Sequence, residues 1–270
     1  MSSHYIVNFD PIIFSAGPLQ VRWYGLMYVI GFVLAGFILK ILSKKKFFTP
    51  GVEKIDSLIT HMLIGMFVGA RIFYVFIYNW DYYGQHLTDL FAVWKGGLSF
   101  HGAIIGLLVG GYLFARKNKV SWAEVLDNSC LAGTWALFFG RMGNFINGEL
   151  YGRTTDSAIG MIFKGGGPYP RHPSQLYEGI SEGLILAIIL WVIYPRVKNY
   201  GFISSFFLIG YGIFRFIIEF FREADAQLGY YFGGTTTMGQ ILCFIMVLVG
   251  LFGLYISNKK LWPVNITSEA

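Results

Sequence analysis

The strongest constraint on the fold is a series of apolar runs, most of them close to the length of a membrane span. They lie near residues 21–42, 58–78, 97–115, 122–140, 180–194, 201–218 and 238–257. A helix needs about 20 apolar residues to cross a hydrocarbon core of about 30 Å. The composition agrees, because 55% of the 270 residues are hydrophobic and only 13% are charged, which is unlike a soluble domain. The sequence predicts an all-α polytopic membrane protein with about seven transmembrane helices.

The positions of the basic residues predict the orientation of these helices. Lysine or arginine follows the first, third, fifth and seventh runs, at Lys40, Lys44, Lys45, Lys46, Lys54, Arg116, Lys117, Lys119, Arg196, Lys198, Lys259 and Lys260. The tail 1–20 has neither residue type, and the interval 79–96 has only Lys95. Because cytoplasmic loops are enriched in Lys and Arg, we expect the N-terminus outside and the C-terminus in the cytoplasm. The net charge of +6 is then topological and indicates no nucleic-acid partner.

The longest interval between the predicted spans is residues 141–179. It is rich in glycine and contains Pro168, Pro170 and Pro173, which argues against a continuous helix. We expect an ordered external loop or subdomain there, between spans four and five. Neither a repeat nor a low-complexity linker is evident, so residues 1–270 are predicted to form a single integral membrane domain.

The side chains that commonly bind metals or act as nucleophiles are sparse. Cys130 and Cys243 lie inside predicted spans, where small buried apolar residues are the expected interpretation. The five histidines form neither an HxxxH pattern nor a set flanked by carboxylates, so a metal site is not expected. No cofactor is predicted.

Five polar side chains from five predicted helices fall at a similar depth, in the outer half of the membrane. At 1.5 Å of rise per residue, Arg71 and Arg215 lie at similar heights, and Tyr24, His101 and Arg141 come from the outer ends of their spans. Charged groups at bilayer depth are costly unless they are paired or line a wet cavity. The pattern therefore predicts a polar cavity that opens toward the outer leaflet.

The sixth run adds a stripe of polar residues on one helical face. Tyr211, Arg215, Glu219 and Arg222 are spaced i, i+4, i+8 and i+11, and we expect them to point into the bundle. Glu219 either neutralises a neighbouring arginine or contacts substrate. The carboxylates expected near the two deep arginines, at 141 and 215, are Glu149 and Glu219, and this arrangement suits an anion such as a phosphate.

The remaining candidate residues each keep a structural alternative. His101 is either a packing residue or a proton acceptor near neutral pH. Tyr24 fits the ordinary enrichment of tyrosine at membrane interfaces. Asn144 and Asn147 are either ligands or residues that hydrogen-bond their own turn.

Four stretches together resemble the bacterial prolipoprotein diacylglyceryl transferase family. They are GRMGNFINGELYGRT at 140–154, SFHG at 99–102, RHPSQLYE at 171–178 and YGIFRFIIEFFRE at 211–223. The first stretch matches the family signature at Gly140, Arg141, Gly143, Asn144, Asn147, Gly148, Glu149, Gly152 and Arg153. Ala103 departs from it, since the family usually has a second glycine after the histidine. The family's arrangement of seven spans with an external N-terminus agrees with the charge pattern.

The resemblance implies an enzyme of the bacterial inner membrane, with its active site toward the periplasmic leaflet. It would move the diacylglyceryl group of phosphatidylglycerol to the lipobox cysteine of a prolipoprotein signal peptide, forming a thioether and releasing glycerol phosphate. The family's important residues fall on Tyr24, His101, Arg141, Asn144, Glu149, Gly152, Tyr211, Arg215 and Glu219. Of these, His101, Arg141, Arg215 and Tyr211 are the catalytic candidates. The lipid head-group candidates are Arg141, Arg215, Tyr24, Asn144, Glu149, Gly152 and Glu219.

Our hypothesis is that Arg141 and Arg215 hold the phosphate and that His101 assists deprotonation of the thiol. Asn144, Glu149 and Tyr24 would orient the glycerol. The alternative is a non-catalytic transporter or anion-binding protein with an arginine-lined outer vestibule. Transporters commonly have repeated halves and a midplane site, and the sequence indicates neither.

Overall fold

A computed structural model describes residues 4–17, 19–92, 96–223, 230–231 and 236–260. Helices dominate the part of the chain it describes: α1 (Trp23–Lys44), α2 (Val52–Phe73), α3 (Trp80–Tyr83), α4 (Phe100–Asn118), α5 (Trp122–Asn147), α6 (Ser174–Glu178), α7 (Leu186–Ile193), α8 (Phe202–Ile218) and α9 (Met238–Asn258). A π-helical segment, Tyr74–Tyr78, extends α2, and a second one, Gly179–Ile185, joins α6 to α7. Short 3-10 helices occupy Leu87–Phe91 and Tyr194–Arg196.

Each of the seven predicted apolar runs is helical over most of its length. Within the described residues, four helices are long and apolar enough to cross a membrane: Trp23–Lys44, Val52–Tyr78, Ser174–Arg196 and Met238–Asn258. α8 is apolar but shorter, and α4 and α5 carry more glycine and polar residues. The chain is thus a mostly helical membrane protein, and the count of seven spans and the direction of the termini stay predictions.

The chain divides into two compact units. This division does not test the prediction of a single membrane domain. The described part of the first unit comprises residues 4–17, 19–38, 129–223, 230–231 and 236–260. There α1 approaches α5 closely, because a Cβ added at Gly31 would lie 2.8 Å from Cβ of Ala136. α8 packs along α9, and a Cβ at Gly250 would lie 2.8 Å from the carbonyl oxygen of Ser205.

The second unit, whose described part is residues 39–92 and 96–128, is built around α2 and α4. Gly65 and Gly69 of α2 face Gly102, Gly106 and Gly110 of α4, and a Cβ at any of these positions would collide with backbone of the opposite helix. Small residues at spacings of four allow such close packing of helices in membranes. Gly102, which ends the SFHG stretch, and Gly106 and Gly110 after it therefore have a packing role.

The segment predicted as a loop, 141–179, is shorter than expected. α5 continues through Asn147 and α6 begins at Ser174, so the non-helical segment is 148–173. The glycines misled the prediction because some of them serve helix packing. Gly143, for example, lies in α5, where a Cβ would be 3.0 Å from the ring of Tyr24 on α1.

Short strands tie the N-terminal tail to this segment. β1 (Tyr5–Val7) pairs in parallel with β4 (Met161–Phe163), and Nδ1 of His4 lies 3.0 Å from the carbonyl oxygen of Gly160. β2 (Ile12–Ala16) and β3 (Leu19–Arg22) form an antiparallel hairpin that leads into α1, and β5 (Tyr230–Tyr231) pairs with β6 (Thr236–Thr237). The segment 148–173 is therefore ordered, as predicted.

The polar stripe on the sixth run does not lie on one continuous helix. α8 ends at Ile218, Glu219 is its C-cap, and a turn follows before Arg222. Arg222 instead forms an isolated antiparallel bridge with Gly152. Its position is thus set by the loop as well as by the helix.

Candidate functional site

The centre of the candidate site is the carboxylate of Glu178, which is completely buried at 0% exposure. Its Oε2 lies 2.7 Å from Nε of Arg141 on α5. Its Oε1 lies 3.1 Å from Nη1 of Arg215 on α8 and accepts a hydrogen bond of 2.6 Å from Nη1 of Arg222. Three arginines from two other parts of the chain therefore share one carboxylate.

A second carboxylate, Glu219, joins two of the same arginines. Its Oε2 lies 3.1 Å from Nη2 of Arg215 and 3.3 Å from Nε of Arg222. Its Oε1 accepts a hydrogen bond of 3.0 Å from the hydroxyl of Thr237, the N-cap of α9. A Cβ at Gly239 would be 2.6 Å from that oxygen, so glycine leaves room for it. The ion-pair interpretation of Glu219 is confirmed, and a contact with substrate stays a prediction.

The third carboxylate is Glu182, one helical turn beyond Glu178 and equally buried. Its Oε2 lies 3.9 Å from Nη2 of Arg141, and the hydroxyl of Tyr211 donates a hydrogen bond to it. We call these six charged residues the arginine–glutamate cluster: Arg141, Arg215, Arg222, Glu178, Glu182 and Glu219. Three guanidinium groups face three carboxylates in this cluster, so its formal charges balance.

Glycines and a π-helical segment bring the carboxylates of Glu178 and Glu182 close to α5. A Cβ at Gly183 would lie 2.7 Å from the backbone nitrogen of Phe138, and one at Gly179 would lie 3.3 Å from Cβ of Arg141. Both glycines belong to the π-helical segment Gly179–Ile185, and such segments are frequent at functional sites. The close approach to α5 places Glu178 and Glu182 beside Arg141.

The expectation that Glu149 and Glu219 are the carboxylates near the two deep arginines is wrong for Glu149. Glu178 and Glu182 take that place, and sequence reasoning missed both. Two carboxylates four residues apart at the start of an apolar run are costly in a membrane, and Glu178 ends the RHPSQLYE stretch. Those two features together would have identified them.

The arginines differ in how much of each guanidinium is left for a ligand. The relative exposure of the side chain falls from 23% at Arg141 to 16% at Arg215 and 11% at Arg222. Arg215 lies within ion-pair distance of carboxylates through both terminal nitrogens. Arg141 faces Glu178 through Nε, and among the described residues its terminal nitrogens make no hydrogen bond and only the long contact with Glu182. The forked end of Arg141 is therefore the part best able to grip an anion.

A group of uncharged residues surrounds Glu149 near the end of α5. The amide of Asn144 donates a hydrogen bond of 2.8 Å to Oε1 of Glu149, and the amide of Asn147 donates to the same oxygen at 3.4 Å. Tyr24 on α1 is hydrogen-bonded to Asn144 and lies 2.9 Å from the hydroxyl of Tyr28. Tyr24, Asn144 and Glu149 are thus brought together, and their contact with a lipid head group stays a prediction.

Gly152 lies where the loop meets the end of α8. Its N–H donates to the carbonyl of His172 at 2.8 Å, and the N–H of Arg153 donates to the carbonyl of Phe221 at 2.9 Å. A Cβ at Gly152 would collide with that Phe221 carbonyl. Glycine at this position is therefore explained by backbone packing, and contact with a lipid head group stays a prediction. Burial lowers the pKa of His172 below its usual 6.5.

The second unit holds the other predicted candidates. His101 is exposed in the first turn of α4, and its Nδ1 lies 3.0 Å from the hydroxyl of Tyr78. Arg71 donates four hydrogen bonds of 2.7 to 3.0 Å to the carbonyls of Asp89, Leu90, Gly96 and Gly97. Because all three nitrogens of its guanidinium donate hydrogen bonds to loop carbonyls, Arg71 has a structural role.

The described residues contain no group of three His, Cys, Asp or Glu side chains arranged to hold a metal ion.

Comparisons with known proteins agree with these features. The family model described as prolipoprotein diacylglyceryl transferase matches residues 11–256. A protein of Oleidesulfovibrio alaskensis named phosphatidylglycerol–prolipoprotein diacylglyceryl transferase is 46% identical over 93% of this chain and 95% of its own length. Relatives with the same name from Geobacter sulfurreducens and Mannheimia succiniciproducens are 44% and 45% identical, over 95% and 94% of this chain and 98% and 94% of their own lengths. The chain belongs to the prolipoprotein diacylglyceryl transferase family.

Proposed function

We propose that this protein transfers the diacylglyceryl group of phosphatidylglycerol to the thiol of the lipobox cysteine in a prolipoprotein signal peptide. The new bond is a thioether between the cysteine sulfur and the diacylglyceryl carbon. The carbon–oxygen bond to the phosphate breaks, and glycerol phosphate leaves with the electron pair. The thiol proton is taken by a base. This reaction is the first step of bacterial lipoprotein maturation.

The observation that carries the proposal is the meeting of Arg141 and Arg215 at one buried carboxylate, in a chain of this family. The leaving phosphate gains negative charge as the carbon–oxygen bond breaks. Guanidinium groups aimed at that charge stabilise the transition state more than the ground state. Arg141 supplies the terminal nitrogens that grip the phosphate, and Arg215 adds positive charge beside it.

The other candidate residues have supporting roles in the proposal. His101 accepts the thiol proton, since histidine is the side chain that most often acts as a general base. Tyr24, Asn144 and Glu149 orient the glycerol of the head group through hydrogen bonds. Tyr211 is placed to hold Glu182 beside the arginines. Glu219 fixes Arg215, and Gly152 keeps the loop against the end of α8.

The membrane arrangement is part of the same proposal. Seven helices cross the bacterial inner membrane, with the N-terminus outside and the C-terminus in the cytoplasm. The reaction site then faces the periplasmic leaflet, where lipid enters from the bilayer and the signal-peptide helix enters laterally. The scarcity of lysine and arginine in the tail 1–20 and their frequency after alternate apolar runs support this direction.

The test is an assay of purified protein in vesicles that contain phosphatidylglycerol, with a synthetic lipobox-cysteine peptide. We expect glycerol phosphate release that requires both the lipid and the peptide thiol, and a peptide mass increased by one diacylglyceryl group. For Arg141→Ala we expect a rate reduced about 100- to 1000-fold, as for loss of one transition-state donor. Arg196→Ala is the matched control, because Arg196 is exposed and donates to its own helix backbone.

Two outcomes would contradict the proposal. Uptake of an anion without bond cleavage would favour the transporter alternative. A rate for Arg141→Ala equal to that of Arg196→Ala would remove Arg141 from the mechanism.

A further inference from the structure

We propose that Glu178 is a positioning residue for the transfer reaction, which holds Arg141 in the orientation that presents its terminal nitrogens to the lipid phosphate. The inference rests on the proposed function. Glu178 ends the RHPSQLYE stretch, 171–178, in which no site residue was predicted from the sequence.

The first argument is the way in which Arg141 is held. Glu178 contacts Nε, the nitrogen on the side of the guanidinium, at 2.7 Å. A carboxylate that bound the two terminal nitrogens would have occupied the fork that matches a phosphate. The ion pair at Nε leaves the terminal nitrogens with no carboxylate nearer than Glu182 at 3.9 Å among the described residues, and the side chain is 23% exposed.

The second argument is charge. Arg215 and Arg222 both lie on Oε1 of Glu178, so three like charges are held close together by one buried anion. Without it, Glu182 and Glu219 would face three guanidinium groups. Removing one partner from a buried ion cluster leaves an uncompensated charge and is strongly destabilising for the arrangement. The arginines are then expected to move apart or to admit water.

The third argument is the rigidity of the Glu178 side chain. Glu178 is fully buried at the end of α6, directly before the π-helical segment, and Gly179 lies against the Arg141 side chain. A buried carboxylate on a packed helix loses little freedom when it binds a guanidinium. Misplacement of a catalytic group by about 1 Å can cost about 100-fold in rate, so this rigidity bears directly on catalysis.

The experiment measures kcat and KM for phosphatidylglycerol in the vesicle assay. For Glu178→Gln we expect kcat/KM to fall about 10- to 100-fold. Glu223→Gln is the matched control, because Glu223 is exposed and pairs with Arg171 outside the cluster. We expect this control to stay within about twofold of the original protein, since exposed ion pairs contribute little.

Two further measurements separate positioning from general structural support. If Glu178 acts through Arg141, the double variant Glu178→Gln with Arg141→Lys has nearly the activity of Arg141→Lys alone, since coupled residues are not additive. In Glu178→Ala, added formate is expected to restore activity and chloride is not. If Glu178→Gln does not fold, Glu178→Asp makes the same test, because it keeps the charge and moves the carboxylate away from Nε.

The inference is wrong if Glu178→Gln stays within twofold of the original protein. It is also wrong if the double variant loses the product of the two single effects, or if formate gives no recovery. These results leave the proposed function standing as long as the original protein makes the thioether. Failure of the original protein to do so would instead refute the proposed function.

Discussion

Arg71 and Arg141 are arginines in helices of the two units, but they differ in the groups that their guanidinium nitrogens face. Arg71 donates to four neutral backbone carbonyls and shapes the loop that contains them. Arg141 faces two carboxylates and keeps its terminal nitrogens without a hydrogen bond among the described residues. The sequence analysis placed both residues at a similar depth, in the outer half of the membrane.

The difference teaches that burial of an arginine is not by itself evidence of a site. Backbone carbonyls that occupy the whole guanidinium leave nothing for a ligand, and the residue then stabilises the fold. Buried carboxylates are costly to desolvate and are weak evidence for stability. A cluster of them around a partly open fork is better explained by function.

The largest expected effect comes from replacing each arginine by lysine, which keeps the charge and removes the fork. For Arg141→Lys we expect kcat/KM to fall about 10- to 100-fold, because a charged hydrogen bond contributes about 1.5–3 kcal/mol. For Arg71→Lys we expect the folded protein to keep its activity and to unfold at a lower temperature. Assays of both variants, with melting curves in detergent, check the two expectations. Equal loss of activity in both variants would contradict the difference in role between Arg71 and Arg141.

A smaller effect is expected at Gly152, which couples the loop to the arginine–glutamate cluster through Arg222. In Gly152→Ala the added methyl group meets the Phe221 carbonyl, and such overpacking costs about 1–3 kcal/mol. We expect a lower melting temperature together with reduced activity. Gly165→Ala is the control in the same loop, because its Cβ would meet nothing nearer than 3.9 Å. Similar losses in the two variants would show that the collision at Gly152 is not the cause.

The smallest effect is expected at His172 and concerns the pH dependence of stability. Like the guanidinium of Arg71, the imidazole of His172 contacts uncharged groups. Its Nδ1 lies 3.1 Å from the hydroxyl of Tyr177, and its ring packs on Phe221. Because burial lowers the pKa of His172 below 6.5, the unfolded chain binds a proton more readily than the folded one. Stability is therefore unaffected well above pH 6.5 and falls as the pH decreases through the interval between the two pKa values. Melting curves at pH 8 and pH 5.5 measure this, and His172→Gln should show a smaller decrease. An equal decrease in both proteins would assign it to other groups.

Much of the fold followed from local patterns in the sequence. The apolar runs predicted every long helix, because a segment without charge and of sufficient length satisfies its backbone as a helix in lipid. The predicted bounds of the loop, 141–179, were wrong because glycine can either break a helix or let two helices pack closely. Gly143 and Gly183 allow close packing. Whether a glycine has this role depends on the helix that lies beside it.

The candidate site was predicted in part. Tyr24, Asn144 and Glu149 do meet, and Arg141 and Arg215 share a carboxylate. Their nearness had been expected from a shared depth. The carboxylate of Glu178 was not predicted, because the depth of a residue along its own helix does not show which residues of a neighbouring helix face it.

The sequence by itself determined that this protein is a helical membrane protein of the prolipoprotein diacylglyceryl transferase family, because length, hydropathy and spaced motifs are properties of the chain. Only the tertiary structure decided which arginine keeps an open fork and which carboxylate holds it. That outcome depends on pairings between residues far apart in the chain, such as Arg141 with Glu178. These pairings arise from close packing at glycines and a π-helical shift in register, which no local pattern specifies.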